Sequence, residues 1–597
     1  MTTIPTISDY KEIWAIDFEF YPGPGLANGG REGDLPTPLC LVAIELRTGR
    51  VIHQWVDQFG PLPPYRIDSG ALVVSYMSTA EFSCHLALGW PQPACTFDAY
   101  VEFRHLTNDG SAKGREKGFY SLPGALQYFG ENGIDTAHKT DMRGRIVQGP
   151  PFSADEREAI QKYCEDDVRA LVRVFKYIAP TVRSWPHALF QCQVTWAVAR
   201  EEQRGIPLDR VMLPRLRANW NAIQHELVIR KDPPFGIYEI VDGKPHWRDQ
   251  RFADYLHRNN MAWPERGDGS PDLRDVTFRD MIGRYPHIQP LRELRASLSD
   301  MRLNSLAVGN DGRNRTMLGP YGSKTGRNQP SNSKFIFGPA KWTRFLITPH
   351  SPDRVLIHRD YAQQEPQIAA VVSGDEELLA ICLSGDVYVG IASALGFVSE
   401  GATVEELATT RTLFKTVVLG ILYGLGVNSL AMRAGISRSE AGEILARLRA
   451  RFRAFEYFAA SVGDHSGLDL EICTPFRWYM RCPPHINPRT VRNFPVQSTG
   501  AEVLHVAIVL AERRGLEVVA PIHDALVIEA DARDAEDANR ELDRVMGDAA
   551  SVVLRGYRLR TDAQPIIRYG SRFYDKAGIE MWNTVSQLLI EIERNAA

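Results

Sequence analysis

Two short β-rich runs, far apart in the chain, each end on or turn around an aspartate, and few folds can bring both acids to one place. The first is V-L-I-H-R-D-Y-A-Q-Q-E, Val355 to Glu365, in which the apolar run Val355, Leu356 and Ile357 predicts a buried strand ending on Asp360. A carboxylate at the end of a buried strand is held rigidly, which suits a metal ligand. In the second, V-V-A-P-I-H-D-A-L-V-I-E-A, Asp524 sits between Val518–Ile522 and Leu526–Ile528, as at the tip of a hairpin. Brought together, two such acids could hold two divalent metals about 3.5–4 Å apart, the arrangement used for in-line phosphoryl displacement. Between them, R-T-L-F-K-T-V-V-L-G-I-L-Y-G puts Arg411, Lys415, Leu419 and Tyr423 on one helical face. Two cations on one helix face, opposite two metal-binding acids, make a triphosphate site. Taken singly, an aspartate after a strand is more often a turn former, and Arg and Lys four apart are more often a solvated face. The order of the three is the specific signal.

With 597 residues, three or four domains are expected. The net charge of −4 announces no nucleic-acid partner, so any phosphate binding must come from local clustering. That cluster lies at 311–345, where seven Lys/Arg face one acid among Gly, Asn, Ser and aromatics; such a loop can follow a phosphate backbone. The eight cysteines form no CxxC pair, which argues against a zinc site or a disulfide framework. The first residues carry no signal pattern. Thr416 to Met432 is apolar enough to suggest a membrane span, but Gly420, Gly424, Gly426 and Asn428 make it a buried helix and the loop after it. No membrane is expected.

Near the N-terminus, K-E-I-W-A-I-D-F-E-F predicts a strand with Asp17 and Glu19 on one face. Two acids there repel unless a cation lies between them. Later, Y-C-E-D-D-V-R-A-L predicts a helix with Tyr163 and Asp167 one turn apart. Residues 182–190, V-R-S-W-P-H-A-L-F, suggest a domain boundary, followed by an amphipathic helix ending at Gly205. Helical patterns run through Leu213–Ile229 and Leu291–Leu306, the second with the apolar stripe Leu291, Leu294, Leu298 and Met301. Asp232 to Asp272, rich in Pro, Gly and charge, gives no clear pattern.

The order acid, cationic helix, His-Asp hairpin resembles the three polymerase motifs of family A DNA polymerases, the group of bacterial DNA polymerase I and many bacteriophage replicases. The resemblance implies an α/β multidomain chain, a ribonuclease-H-like exonuclease domain followed by a right-hand polymerase of thumb, palm and fingers. It divides the chain into the exonuclease at 1–186, the lead into the palm and the thumb at 187–340, palm at 341–375, fingers at 376–470 and palm again at 471–597. It implies template-directed addition of dNTPs to a primer 3′-OH, with Asp360 and Asp524 holding two Mg²⁺ and Arg411 and Lys415 on the triphosphate. Tyr361-Ala362-Gln363-Gln364-Glu365-Pro366-Gln367 matches the family's Tyr-Ser-Gln-Ile-Glu-Leu-Arg. Glu365 then stands where a glutamate closes off the space of a ribose 2′-OH, and Gln367 replaces an arginine that supports the primer end. Tyr423-Gly424 matches the Tyr-Gly beside the templating base, while Leu419 replaces the usual Phe or Tyr on the incoming sugar. Tyr388 stands where His is commoner.

Thr325-Gly326-Arg327 matches a Thr-Gly-Arg whose arginine reaches the primer-template minor groove. Arg489, Asn493 and Gln497 match Arg-x-x-x-Asn-x-Pro-x-Gln, whose amides can meet the acceptors that every base pair offers in the minor groove. His523 and Asp524 match the hairpin motif, with Ala525 where a Glu is usual. In the N-terminal part, Asp17, Glu19, Tyr163 and Asp167 match the proofreading 3′–5′ exonuclease, whose acids hold two further Mg²⁺ while the Tyr orients the attacking water. Its middle motif is altered: Glu81 falls where the family has Asp, and Asp98 is the other candidate. The implied partners are primer-template DNA and dNTPs, with replisome partners unidentified. The implied state is a monomer in the cytoplasm, that of the host cell for a phage-encoded chain. Rival readings are the same polymerase with an inactive exonuclease, a nuclease whose polymerase half only grips DNA, and a non-catalytic DNA-binding replisome protein.

Overall fold

The computed structural model describes residues 7–109, 115–116, 118–131, 136–298, 302–338, 340–468, 471–483 and 486–596. The N-terminal part is built on a five-stranded sheet in the order β3-β2-β1-β4-β5. Its strands are β1 (Glu12–Pro22), β2 (Pro36–Glu45), β3 (Val51–Trp55), β4 (Ala71–Ser75) and β5 (Thr96–Asp98). β1 pairs antiparallel with β2 and parallel with β4, and the β1–β2 register slips between Glu19 and Phe20. One face carries Trp14, Ile16, Phe18, Leu41 and Val73; the other carries Ala15, Val42, Leu72 and Val74. With both faces buried, the central strands read as continuous apolar runs. Helices α1 (Thr79–Ala87), α2 (Ala99–Leu106), α3 (Thr136–Gln148) and α4 (Ala154–Ile178) surround it. Ser153 and Glu156 form a capping box that starts α4, satisfying two otherwise orphaned backbone donors.

The stretch 182–190, where a domain boundary is expected, runs into a helix. Trp185–Arg204 form one continuous helix, α5, with Pro186 in its first turn, where a missing N–H has no partner to lose. Cys192, Trp196 and Ala199 on α5 pack with Phe82 of α1, the Phe82 and Trp196 rings 4.4 Å apart. At its other end, Arg204 pairs with Glu512 and donates to the Val518 carbonyl at 3.1 Å. The pattern expected at Leu213–Ile229 is two helices, Met212–Ala218 and Trp220–Lys231, separated at Asn219. Leu291 and Leu294 are buried on the helix Gln289–Leu298, whereas Met301 lies outside the described residues. The unplaced stretch 232–272 contains a hairpin, Tyr238–Val241 with Lys244–Trp247, and a helix, Asp249–Arg258.

The C-terminal part contains β6 (Arg354–Tyr361), α6 (Gln364–Ser373), α7 (Val387–Ala394), α8 (Val404–Leu422), α9 (Pro488–Arg513), β7 (Glu517–Ile522), β8 (Ala525–Asp531), α10 (Ala535–Val553) and β9 (Thr561–Ala563). Its antiparallel sheet has the order β7-β8-β6-β9. Val355, Leu356 and Ile357 on β6 and Leu526, Val527 and Ile528 on β8 are almost fully buried. They belong to one core with Val503, Ala507 and Ile508 of α9 and Leu542, Val545 and Met546 of α10. Burying each larger side chain contributes about 1.5–3 kcal/mol, enough for this layer to fix the sheet's register. The apolar run at 416–432 is the end of α8 followed by a new helix, Val427–Ala434. Among the described residues, the helix long and apolar enough to cross a membrane is α9, whose apolar stretch is 89% buried inside the protein.

Candidate active sites

The two predicted aspartates meet. β6 and β8 pair so that Asp360 lies opposite Ala525, and the Tyr361 N–H donates to the Asp524 carbonyl at 3.1 Å. β7 and β8 close on a tight turn, Ile522 opposite Ala525, with His523 in the left-handed region at φ 57°. Burial first, then the facing Asp524 charge and hydrogen bond, push the Asp360 carboxyl up to about 7. Burial also raises Asp524, against the pull of His523 and Arg327. Asp360 Oδ1 is buried and has no hydrogen-bond partner in the protein. Two crowded carboxylates with a free, desolvated oxygen are a donor set for a hard divalent cation, and oxygen-only ligation suits Mg²⁺.

Around them, sequence-distant residues close in. The Tyr423 hydroxyl, at the end of α8, donates to both Glu365 oxygens at 2.9 and 3.0 Å, and Arg327 lies 3.8 Å from the same carboxylate. Burial raises the Glu365 carboxyl despite those partners. The Arg327 charge also acts on His523 and Asp524. His523 is held below its ordinary value by burial and is neutral at pH 7. Gln497 reaches the Tyr423 hydroxyl. Arg489, Asn493 and Gln497 follow at one-turn spacing along α9, Arg489 exposed and Asn493 with a buried side-chain oxygen lacking a partner.

Arg411 and Lys415 lie one turn apart on α8, as spacing predicts. Arg411 donates to Asp386 at 2.7 Å and stands over the Tyr388 ring at 5.6 Å; Lys415 is exposed. Asp386 caps α7 through the Tyr388 and Val389 N–H groups and also accepts from Gln363 Nε2 at 2.6 Å. Gln363, in the left-handed region at φ 50°, accepts from Val387 N–H in return. Its side chain therefore ties α7 and α8 to the end of β6. Asp386 was missed, although a Gly-Asp before an apolar helix is an N-cap signal. Leu419 is half-buried on the same helix. Gln367 is fully buried, accepting from Tyr557 at 2.9 Å, so it braces the interior and has no exposed surface to offer a primer.

Besides Arg327, four of the seven cations in the basic stretch 311–345 are held in ion pairs with acids of the protein. Arg313 pairs with Glu529 at 2.8 Å and Arg315 with Asp311 at 2.5 Å. Lys334 pairs with Glu32, and Arg344 with Asp575 at 2.8 Å. Arg313, Lys334 and Arg344 thereby fasten the stretch to other parts of the fold, while the Arg315–Asp311 pair lies within it.

The N-terminal acids also converge. Asp17 and Glu19 on β1 lie with Cys164 of α4 in one cluster, ligand atoms within 4.8 Å of one another. Glu81 of α1 is buried and accepts from the Phe18 N–H at 2.8 Å. Burial and the Asp17 charge raise Glu81 well above its ordinary range; Asp17 itself is pushed up to about 7 by burial and Asp167. Tyr163 and Asp167 project from α4, and burial raises both. Asp98, the alternative to Glu81, is accounted for otherwise: it accepts from the N–H groups of Met77, Ser78, Tyr100 and Val101 and starts α2. Lys139 of α3 was missed by the sequence and carries no motif, yet its Nζ lies 2.6 and 2.8 Å from the two Asp167 oxygens.

Residues 302–564 match the family model described as DNA polymerase family A. The chain is similar to the DNA polymerase of Mycobacterium phage D29, 26% identical over 66% of each chain. It is also similar to DNA polymerase I of Aquifex aeolicus, 24% identical over 62% of this chain and 65% of that one. DNA polymerase I of Chloroflexus aurantiacus is 28% identical over 43% of this chain; the match spans 29% of that relative's length, and 27% in the Geobacillus stearothermophilus enzyme. In fold, the chain resembles the POL domain of Pol1 from M. smegmatis in complex with DNA primer-template and dNTP. The TM-score is 0.67 at 17% identity, covering 92% of this chain and 95% of that one. The fold is thus that of a mixed α/β polymerase domain.

Proposed function

We propose, from the match of residues 302–564 to the DNA polymerase family A model, that the chain is a member of that family and extends a primer 3′-OH with dNTPs directed by a template strand. The observation that carries this is the meeting of Asp360 with Asp524, one oxygen buried and unpartnered, beside Glu365, Tyr423 and Arg327. Asp360 and Asp524 would hold Mg²⁺, two ions in the family's arrangement. Bound there, Mg²⁺ acidifies the 3′-hydroxyl and neutralises charge on the leaving phosphates. Lys415, exposed on α8, and Arg411, anchored by Asp386, supply positive charge for the triphosphate. Glu365, pinned by Tyr423, limits the room beside the sugar, while Arg327, Arg489, Asn493 and Gln497 face the duplex.

The N-terminal part is read as a ribonuclease-H-like 3′–5′ exonuclease. Asp17 and Glu19 would take a divalent cation, Tyr163 orients water, and the phosphodiester is hydrolysed to release a nucleotide. The convergence of Asp17 and Glu19 with Cys164 in one group of ligand atoms supports that role. The domain division at 186, 340, 375 and 470, a monomeric state and work in the cytoplasm belong to the same reading.

Primer extension with labelled dNTPs and Mg²⁺ tests the first activity: Asp524→Ala should abolish it, and a wild-type rate in that variant overturns the assignment. Degradation of a 3′-labelled single strand tests the second, with Asp17→Ala expected to be inert.

A further inference from the structure

The N-terminal acidic cluster carries a positive charge of its own. Lys139 reaches in from α3, and both Asp167 oxygens accept from its ammonium at 2.6 and 2.8 Å. The ammonium lies 5.7 Å from the centre of the Tyr163 ring. Side-chain exposure is 23% for Lys139 and 10% for Asp167, so water screens the pair little. The same charge acts on Asp17 and Glu19. Glu81 turns one oxygen back onto the Phe18 N–H. Of the four acids, Asp167 is thus paired with a cation and Glu81 with a backbone N–H, while Asp17 and Glu19 lie with Cys164 in one group of ligand atoms, the Cys164 thiol 3.4 Å from Asp17 Oδ2.

We propose that the Lys139 ammonium takes the place of one of the two divalent cations expected at this cluster, leaving a single cation site at Asp17 and Glu19. The proposal rests on the exonuclease reading above. An ammonium brings one positive charge and three N–H donors and can neutralise Asp167, but offers no empty orbital to a water molecule. A second divalent ion at Asp167 would have to displace a poorly hydrated ammonium from both oxygens and then crowd it, which works against binding. The remaining ion therefore carries all coordination of water at the site, and Lys139 supplies the charge on the Tyr163 side.

Mn²⁺ counting tests this directly, in the full chain carrying Asp360→Asn and Asp524→Asn so that the other site is silenced. Titration followed by the electron paramagnetic resonance of free Mn²⁺ should give one bound ion per chain. Adding Lys139→Met, which keeps the length and removes the charge, should raise the count to two, and Lys139→Arg should leave it at one. Two ions before Lys139 is changed overturn the proposal, with no need for the Met variant to fold. One ion in a folded Lys139→Met variant overturns it as well. No bound Mn²⁺ in any form overturns the proposal together with the exonuclease reading, whereas two ions in the parent leave that reading standing.

Discussion

Tyr423 and Glu365 are locked together: the phenol at the end of α8 donates to both oxygens of a carboxylate in the first turn of α6, at 2.9 and 3.0 Å. The pair joins the cationic helix to α6, the helix that follows the strand carrying Asp360, and it fixes where Glu365 can stand. Tyr423→Phe should let that carboxylate swing. A hydrogen bond to a charged group is worth about 1.5–3 kcal/mol, so discrimination between dNTP and NTP should fall by roughly tenfold or more. The ratio of kcat/KM for the two nucleotides measures it; an unchanged ratio would mean that Glu365 is held by Arg327 alone.

Asp360 links metal and stability through pH. Its carboxyl is raised to about 7 by burial and by Asp524, against an ordinary 3.8 in the unfolded chain. The folded state keeps a proton that the unfolded state releases, so metal-free stability falls as pH rises from about 4 to about 7. Divalent metal should offset that loss. The rise in Tm on adding Mg²⁺ should therefore be larger at about pH 8 than at about pH 5.5. Asp17, also raised to about 7, contributes in the same sense, so Asp360→Asn should shrink the metal-free pH dependence without abolishing it. Equal Tm gains at both pH values would contradict this.

Arg411 and Lys415 should separate by their second readout. Lys415 is exposed, whereas Arg411 holds Asp386. Alanine at either position should lower kcat/KM for dNTP, by about 10- to 100-fold for the loss of one charged contact. Only Arg411→Ala should also lower Tm, since Asp386 then loses a partner at the start of α7. A Tm drop in Lys415→Ala would place that lysine in the packing instead.

Asp98 and Asp17 should fail in opposite ways. Asp98 satisfies four backbone N–H groups, and Asp98→Ala removes an N-cap as well as two turn contacts, at a cost of about 2–4 kcal/mol. Thermal unfolding should show a clear loss. Asp17→Ala should keep the fold and lose nuclease activity; its metal-free Tm at neutral pH should not fall, because a raised carboxyl is removed. A nuclease-dead but fully stable Asp98→Ala would reverse the two roles.

The palm pair was legible because each aspartate stands at a strand end and the strand period is short: Val355-Leu356-Ile357 and Leu526-Val527-Ile528 mark buried runs without outside help. What failed was partner choice. Nothing near Arg313 in the chain announces Glu529, or near Lys334 announces Glu32, so the pairing of these cations with distant acids could not be read from the stretch itself. Lys139 was invisible for the same reason, lying 28 residues from Asp167 with no periodic signal between them. The helix that begins in the expected boundary stretch did have a local signal: Ser184-Trp185-Pro186 is a helix start, with proline where a first turn tolerates it.

Helix α5 has a practical corollary for anyone wishing to separate the two halves. It is one unbroken rod, with Trp196 seated on Phe82 along its length and Arg204 clasping Glu512 at its last turn. Cutting the chain ahead of it would bare Cys192, Trp196 and Ala199 to water and invite self-association. A shortened version lacking the first half would need polar replacements along that side, and any lineage that discarded it would have had to repaint the same wall.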